Sequence, residues 1–331
     1  MSHQSLDLLS PDPVLEASLA AGLAQVEQEL RESVRSSSPF INEAAGYLVE
    51  AGGKRFRPLL VLLAAQFGDP SRPEVIRSAA AVELTHLATL YHDDVMDEAT
   101  MRRGASSANA RWGNSVAILT GDFLFARTSA ILADLGPEAV RIQAQTFERL
   151  CIGQILETVG PEDGADPVKH HLEVLADKTG SLIAASGRYG ALMSGADSAT
   201  IEVLARFGEC IGVAFQLADD LVDIMSESSQ SGKTPGTDLR EGVATLAALI
   251  ALGGQSVQDV RLRELLSRPL GDDDEHAEAL RLLRSHRALA EARQEACRWA
   301  DEARAALAPL PPGGAKQTLE LLCDYVVSRT G

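Results

Sequence analysis

Apolar positions recur at helical spacing along almost the whole chain, and nowhere does strand-like alternation persist. From Val14, the series Leu15, Leu19, Leu23, Val26 and Leu30 marks one helix face. Residues 1–13, ending in Pro11 and Pro13, lack that pattern and are expected to be a disordered tail. Ser36-Ser37-Ser38-Pro39 breaks the first helix, and a shorter one is expected over 41–51. Gly52-Gly53-Lys54-Arg55-Phe56-Arg57-Pro58 is a basic turn into an apolar helix over 59–67, with Pro58 where a first helical residue would stand. Further helices are expected over 73–97, 115–134, 137–157, 167–193, 199–226, 240–252, 256–267, 274–308 and 315–328, separated by Gly-, Pro- and Ser-rich stretches. The polar stretch from Ser226 to Thr237 reads as a surface loop. No linker interrupts the pattern, so 14–331 is expected to be a single all-α domain.

Composition sharpens that picture. Hydrophobic residues make up 45% of the 331, which supports one large helical core. A net charge of −17 excludes nucleic acid as the expected partner, because phosphate backbones call for a basic surface. Cys151, Cys210, Cys297 and Cys323 match no zinc spacing and read as small reduced hydrophobes. Residues 1–20 show no basic segment followed by an apolar one, so no signal peptide is expected. The longest apolar runs, such as Leu59–Ala65 and Ala244–Leu252, are too short to span a bilayer, and a cytoplasmic location is expected.

Two acidic pentads carry the chemistry: Asp93-Asp94-Val95-Met96-Asp97 and Asp219-Asp220-Leu221-Val222-Asp223. Residues i and i+4 share a helix face, so Asp93 stands over Asp97 and Asp219 over Asp223, with Asp94 and Asp220 beside them. Such crowding near a helix C-terminus is repulsive and opposes the macrodipole. A hard cation relieves it, and carboxylates shared with phosphates and water are how Mg²⁺ is usually held. Basic residues cluster around the pentads in loops near helix ends: Lys54, Arg57, Arg102, Arg103, Lys178 and Lys233.

From about residue 40 to 330 the chain resembles the trans-isoprenyl diphosphate synthases, or polyprenyl synthetases. The resemblance rests on Gly52–Pro58, on His86–Arg103 with the first pentad and its trailing arginine pair, and on Asp177-Lys178-Thr179-Gly180. Phe215-Gln216, the second pentad and Gly232-Lys233 follow in the same order. It implies a helical bundle of the isoprenoid synthase type with a central cavity. It implies a small Mg²⁺ cluster held by Asp93, Asp94, Asp97, Asp219, Asp220 and Asp223, bridging an allylic diphosphate such as farnesyl or geranyl diphosphate. Arg102, Lys178 and Lys233 would complete that shell, while Lys54, Arg57, His86 and Arg103 would bind isopentenyl diphosphate without metal. Thr179 and Gln216 would lie beside the reacting carbon. The implied reaction is ionisation of the allylic C–O bond, attack by the isopentenyl double bond and loss of a proton to the departing pyrophosphate, with water excluded by the 226–237 loop. A homodimer packed through 115–134 and 137–157 is also implied. Transient membrane contact would aid release of a hydrophobic product, although no basic amphipathic anchor is evident.

Product length is read from the helix before Asp93. Thr89 and Ala88 lie one turn below the expected metal site, and Thr85 and Ala81 lie deeper. All four are small, so this wall leaves room for a long tail of about C30 to C50 unless Phe123, Phe125 or Phe147 closes it from another helix. A short-chain C15–C20 synthase is the alternative, with a class I terpene cyclase and a non-catalytic subunit of a heteromeric synthase further off.

Other features depart from the family or carry less. Val243 follows Arg240-Glu241-Gly242 where the family often has Lys, and Ala247 replaces a frequent Pro. Asp272-Asp273-Asp274-Glu275 reads as a helix cap and first turn. His92-Asp93 does not make an HD-type phosphohydrolase, because His170, His171 and His276 lie in charged, loop-adjacent segments. Asp122, inside an apolar helix, is expected to be buried and hydrogen-bonded, and Trp112 and Trp299 to be packing residues.

Overall fold

Asp12 opens the first helix, accepting hydrogen bonds from the backbone N–H groups of Val14 and Leu15, with Pro13 at the first helical position. The computed structural model describes residues 11–225, 235–256 and 259–329. The expected tail therefore falls largely outside the described residues, and its last member is helical: α1 runs Pro13–Ser33. Next come α2, Pro39–Glu50, capped by Ser38, and α3, Phe56–Ala64, which ends in a 3₁₀ turn, Ala65–Phe67. Helix α3 starts two residues before Pro58, because Arg55 in the left-handed region turns the chain sharply into it.

Helices α4 (Pro73–Met96), α6 (Asn114–Leu135) and α7 (Pro137–Val159) match the expected positions within two residues. Between α4 and α6 the apolar pattern gave no warning of a hairpin, β1 (Met101–Arg102) with β2 (Ala105–Ser106), or of the short α5, Ala108–Trp112. The segment expected as one helix over 167–193 is α8 (Pro167–Leu175), a π-turn (Ala176–Gly180) and α9 (Ser181–Ser194). Helix α10 is Ser198–Met225.

Two long expectations are corrected. The helix over 240–252 is two pieces, α11 (Thr237–Glu241) and α12 (Leu246–Gly253), because Gly242 takes a φ of 78° and Thr245 caps a new start. Helix α11 also begins at the expected loop's last residue. The helix over 274–308 is likewise two, α14 (Asp273–Arg284) and α15 (Arg287–Ala306), since His286 turns extended and its side chain caps the second. Helix α13 spans Val260–Leu266 and α16 spans Gly314–Ser328.

The described chain falls into two compact units. One takes Met1–Phe147, Leu182–Ala205 and Pro309–Leu319; the other takes Glu148–Ser181, Arg206–Ala308 and Glu320–Gly331. In the first, α4 is buried along most of its length, and its Tyr91 hydroxyl donates to the Ala44 carbonyl of α2 at 2.5 Å. The second is built on a core of Val213, Leu217, Leu221 and Ile224 of α10 with Leu239, Leu246, Leu265 and Leu283. Burying each such aliphatic side chain contributes about 1.5–3 kcal/mol.

Helix α6 corrects another expectation. By length and composition it is apolar enough to cross a membrane, although Asp122, Arg127 and Asp134 interrupt every run within it. Its buried positions include Ala117, Thr120, Leu124 and Ile131, while Ile118 and Leu119 are exposed. Asp122 is not buried as expected: its side chain is 59% exposed, 3.5 Å from His92.

Candidate active site

In the first unit α4 delivers Asp93 and Asp94 in its last turn and ends at Asp97, the C-cap. Glu98, with φ of 49°, then turns the chain into the β1–β2 hairpin. That hairpin swings Arg102 back so that its Nε donates to Asp94 Oδ1 at 2.6 Å. Asp94 is fully buried, and its Oδ2 has no hydrogen-bond partner. Burial raises the Asp94 carboxyl above its ordinary range, Arg102 draws it back and the Asp97 charge raises it further. Asp93 is half-buried and Asp97 exposed.

The basic turn divides its labour in a way the sequence did not reveal. Arg55 is committed to structure: Nε donates to Glu27 at 2.5 Å, Nη1 to Glu83 at 2.8 Å and Nη2 to the Val49 carbonyl. Burial lowers its pKa, but Glu27 and Glu83 outweigh that and hold it above the ordinary value. Arg57 has a buried Nε without a hydrogen-bond partner. Arg103 Nη1 donates to the carbonyls of Leu48 and Gly52. His86 lies close enough to feel both charges: burial first, then Arg57 and Arg103, push its pKa well below the ordinary value. Both are themselves lowered, first by burial: Arg57 also by the Arg103 charge, and Arg103 also by the charges of Arg55 and Arg102, with Glu83 opposing in each case. Neither has a carboxylate hydrogen-bond partner among the described residues. A diphosphate would relieve all three groups at once. Lys54 is exposed at the same turn.

The expected chain-length wall is packed. Ala81 and Ala88 are fully buried, and so is Thr85, whose hydroxyl donates to the Ala81 carbonyl and accepts from Gln143 of α7 at 3.1 Å. Only Thr89 is half-exposed. Phe125 and Phe147 stack with ring centroids 4.5 Å apart, and Phe125 also meets the His92 ring at 5.7 Å. Phe123 instead carries the Arg127 guanidinium over its face at 4.9 Å.

In the second unit the π-turn Ala176–Gly180 carries Lys178 and Thr179. Such turns widen a helix by one residue and recur at functional sites. Arg149 of α7 clamps this one: Nε donates to Asp177 at 2.6 Å and Nη2 to Glu209 at 2.9 Å. Gly153 is the residue that lets α7 approach, since a Cβ there would stand 2.7 Å from the Lys178 backbone nitrogen. Lys178 pairs with Glu157. Thr179 donates to Gln216 Oε1 at 3.3 Å, and Gln216 Nε2 donates to Asp220 Oδ1 at 3.1 Å, so one relay of side chains joins the π-turn to the second pentad.

Asp220 is the most perturbed carboxyl there. Burial, the charge of Asp238 and the neighbouring Asp219 and Asp223 push it up to about 8, against the pull of Gln216. Asp223 accepts from the Asp238 backbone N–H at 3.3 Å, fastening the start of α11 to α10. Asp219 Oδ1 lies 2.7 Å from Arg329 Nη2. Lys233 lies outside the described residues.

Sequence reasoning missed Arg149, Glu209, Glu157 and Arg329. Each acts through a partner that is distant in sequence, and no local motif marks any of them. His276, in the charged first turn where the sequence puts it, is buried and bonded to the Gly236 carbonyl at 2.9 Å. The run Asp272–Glu275 is the cap and first turn expected, with Asp272 accepting from the N–H groups of Asp274 and Glu275.

The donors suit a hard divalent cation, being carboxylate oxygens throughout. Among the described residues no three His, Cys, Asp or Glu side chains gather closely enough to hold an ion alone. An ion here would share its shell with phosphate and water. The unpartnered Asp94 Oδ2 and the charge-crowded Asp220 are the acceptors such an ion would satisfy.

Carboxylate clusters suited to a divalent cation and, in the first unit, an arginine pocket suited to an anion are chemistry fit for a diphosphate, carried on an all-α fold. Residues 38–283 match the model of the polyprenyl synthetase family. Over 97% of this chain and 96% of the relative, the sequence is 50% identical to a nonaprenyl diphosphate synthase of Mycobacterium tuberculosis. The fold superposes with a TM-score of 0.88 on a geranylgeranyl pyrophosphate synthase from Corynebacterium glutamicum complexed with calcium and isoprenyl diphosphate, at 44% identity over 97% of this chain and 99% of that one. A decaprenyl diphosphate synthase from Rhodobacter capsulatus superposes with a TM-score of 0.87 at 35% identity, over 96% and 98%. The chain belongs to the polyprenyl synthetase family. It is a prenyltransferase that elongates isoprenyl diphosphates, with a divalent cation as its cofactor class, and the expected long-chain product is in line with the nonaprenyl and decaprenyl relatives.

Proposed function

We propose that the chain condenses farnesyl or geranyl diphosphate with isopentenyl diphosphate, head to tail and repeatedly, to an all-trans product of C30–C50, using Mg²⁺. One observation carries this reading: the chain has two kinds of anion chemistry. Carboxylate clusters at Asp93–Asp97 and Asp219–Asp223 suit a metal-bound diphosphate, while the pocket of Arg57, His86 and Arg103 suits a diphosphate with no metal. A two-substrate condensation needs both.

Mg²⁺ held by the acidic clusters would draw charge from the allylic diphosphate as its C–O bond breaks. Arg102 and Lys178 would place positive charge at that leaving group, Arg102 once Asp94 is shared with the metal and Lys178 by leaving Glu157. Lys233 serves with them. Thr179 and Gln216 aim oxygen dipoles at the developing allylic cation, and their mutual hydrogen bond fixes that aim. Arg57, Arg103 and Lys54 hold the isopentenyl diphosphate, and His86, kept neutral by burial and by the neighbouring arginines, donates a hydrogen bond without adding charge. The proton lost at the end goes to pyrophosphate, so no protein base is required.

Chain length has a second reading. Thr85 and Ala88 are packed, and Phe125 and Phe147 stand together near His92, which favours a shorter channel than the small residues alone imply. Purified protein incubated with Mg²⁺, isopentenyl diphosphate and farnesyl diphosphate separates the two. A ladder reaching C30 or beyond supports the long-chain reading, a stop at C15–C20 the short one, and no condensation overturns both.

The enzyme works in the cytoplasm as a homodimer in this reading. Ile118 and Leu119 on α6 and Ile152 and Ile155 on α7 are exposed apolar side chains that a second copy would cover. Sedimentation giving a monomer at micromolar protein would refute the dimer.

A further inference from the structure

We propose that Arg329 is the resting counter-ion of the second acidic cluster and is exchanged for the divalent cation when the site loads. The proposal rests on the reading that Asp219–Asp223 holds that cation.

Arg329 follows the last residue of α16, about 110 residues beyond the cluster it serves. Its Nη2 lies 2.7 Å from Asp219 Oδ1. Its guanidinium carbon sits over the rings of Phe215, 5.1 Å from the centroid, and Tyr325, 5.9 Å away. Phe215 is one turn before Asp219 on α10, so the same helix offers the arginine both a carboxylate and an aromatic face. Three aspartates within one turn and a quarter repel one another, and a guanidinium, which cannot lose its proton, offsets that repulsion at any working pH.

The fit is incomplete in a way that favours exchange. Arg329 Nη1 is buried and has no hydrogen-bond partner among the described residues. A buried guanidinium N–H without an acceptor is costly, and release of the arginine removes that cost. A doubly charged cation competing for the Asp219 oxygen has the Coulombic advantage over a delocalised single charge. The first cluster shows the same device independently, with Arg102 Nε on Asp94 Oδ1 at 2.6 Å. Each pentad is therefore closed by an arginine bound to one of its own aspartates.

Manganese titration followed by electron paramagnetic resonance, with saturating inorganic pyrophosphate and no allylic substrate, reads cation binding without turnover. The proteins compared are wild type, Arg329→Gln, Arg329→Lys and Asp219→Asn. Loss of the competitor in Arg329→Gln is expected to lower the half-saturating Mn²⁺ about three- to tenfold. The lysine variant should return it toward wild type, which a merely structural role at the chain end would not do. Asp219→Asn should raise it. Unchanged or weaker Mn²⁺ binding in Arg329→Gln, with Asp219→Asn impaired, overturns the counter-ion role and leaves the proposed function standing. Wild-type Mn²⁺ binding in Asp219→Asn removes the second pentad from the cation site, and both readings fall together.

Discussion

The two acidic pentads share a sequence pattern and a place near a helix end, yet they are neutralised by different routes. Asp94 is buried at the end of α4 and bound by Arg102, eight residues away on the hairpin that follows directly. The second pentad lies along α10, where Asp219 meets an arginine near the end of the chain, Asp220 takes a hydrogen bond from Gln216, and Asp223 secures α11. The first cluster is thus a self-contained module of one helix end and one hairpin. The second gathers elements from several parts of the chain. Local chemistry can be read and altered locally, whereas the distributed cluster is sensitive to remote changes.

The largest expected effect tests whether both clusters are needed. Asp93→Ala and Asp219→Ala should each lower Mg²⁺-dependent turnover by at least about 100-fold, measured as isopentenyl incorporation. Turnover kept in either variant would break the equivalence of the pentads. A smaller loss, about 10- to 100-fold in kcat with little change in KM, is expected for Arg149→Met, because it unclamps the turn carrying Lys178 and Thr179. An equal rise in KM would show that the clamp serves binding instead.

Stability distinguishes the clusters next. Asp94→Ala removes a fully buried carboxylate and leaves the partly exposed Arg102 without its partner, and should cost about 1–3 kcal/mol in urea unfolding. The half-exposed Asp219 should cost about 1 kcal/mol or less on removal.

Acid titration probes the metal-free pocket of the first unit. His86 is depressed in the folded state, so the unfolded chain binds more protons as pH falls below about 6.5. Stability is complete above that pH and declines as pH drops toward the folded-state value. His86→Gln should flatten the fall in Tm between pH 7 and 5, although His171, depressed to about 4, keeps part of it. An unaltered slope would mean that His86 does not carry it.

The smallest effect belongs to a third acidic run. Asp272→Ala removes a helix cap and should cost about 1 kcal/mol while leaving Mg²⁺ dependence untouched.

Much of this was legible in the sequence because it is local. Helical spacing located α4, α6, α7 and α10 to within a residue or two, and i,i+4 geometry grouped the aspartates. What escaped has two physical causes. Backbone breaks that depend on single residues, such as the left-handed Gly242 and the extended His286, leave the apolar period intact and so are invisible to it. Burial and pairing across long separations do not follow from type: Arg55 and Arg57 are two residues apart, yet one is bound between carboxylates and the other is left with an unpartnered nitrogen. Asp122 was misplaced for a related reason, since an apolar helix can still turn one side outward.

The π-turn at Ala176–Gly180 bears on how this enzyme could change over generations. One surplus residue there shifts the phase between α8 and α9. Deleting it would restore an ordinary helical turn, in which each residue of the turn beyond the deletion is shifted by about 100° around the helix axis. Lys178 and Thr179 would then lose their present directions, and Asp177 its place against Arg149. A single in-frame codon loss at this turn is therefore expected to break, in one step, the bonds of Arg149 to Asp177 and of Thr179 to Gln216.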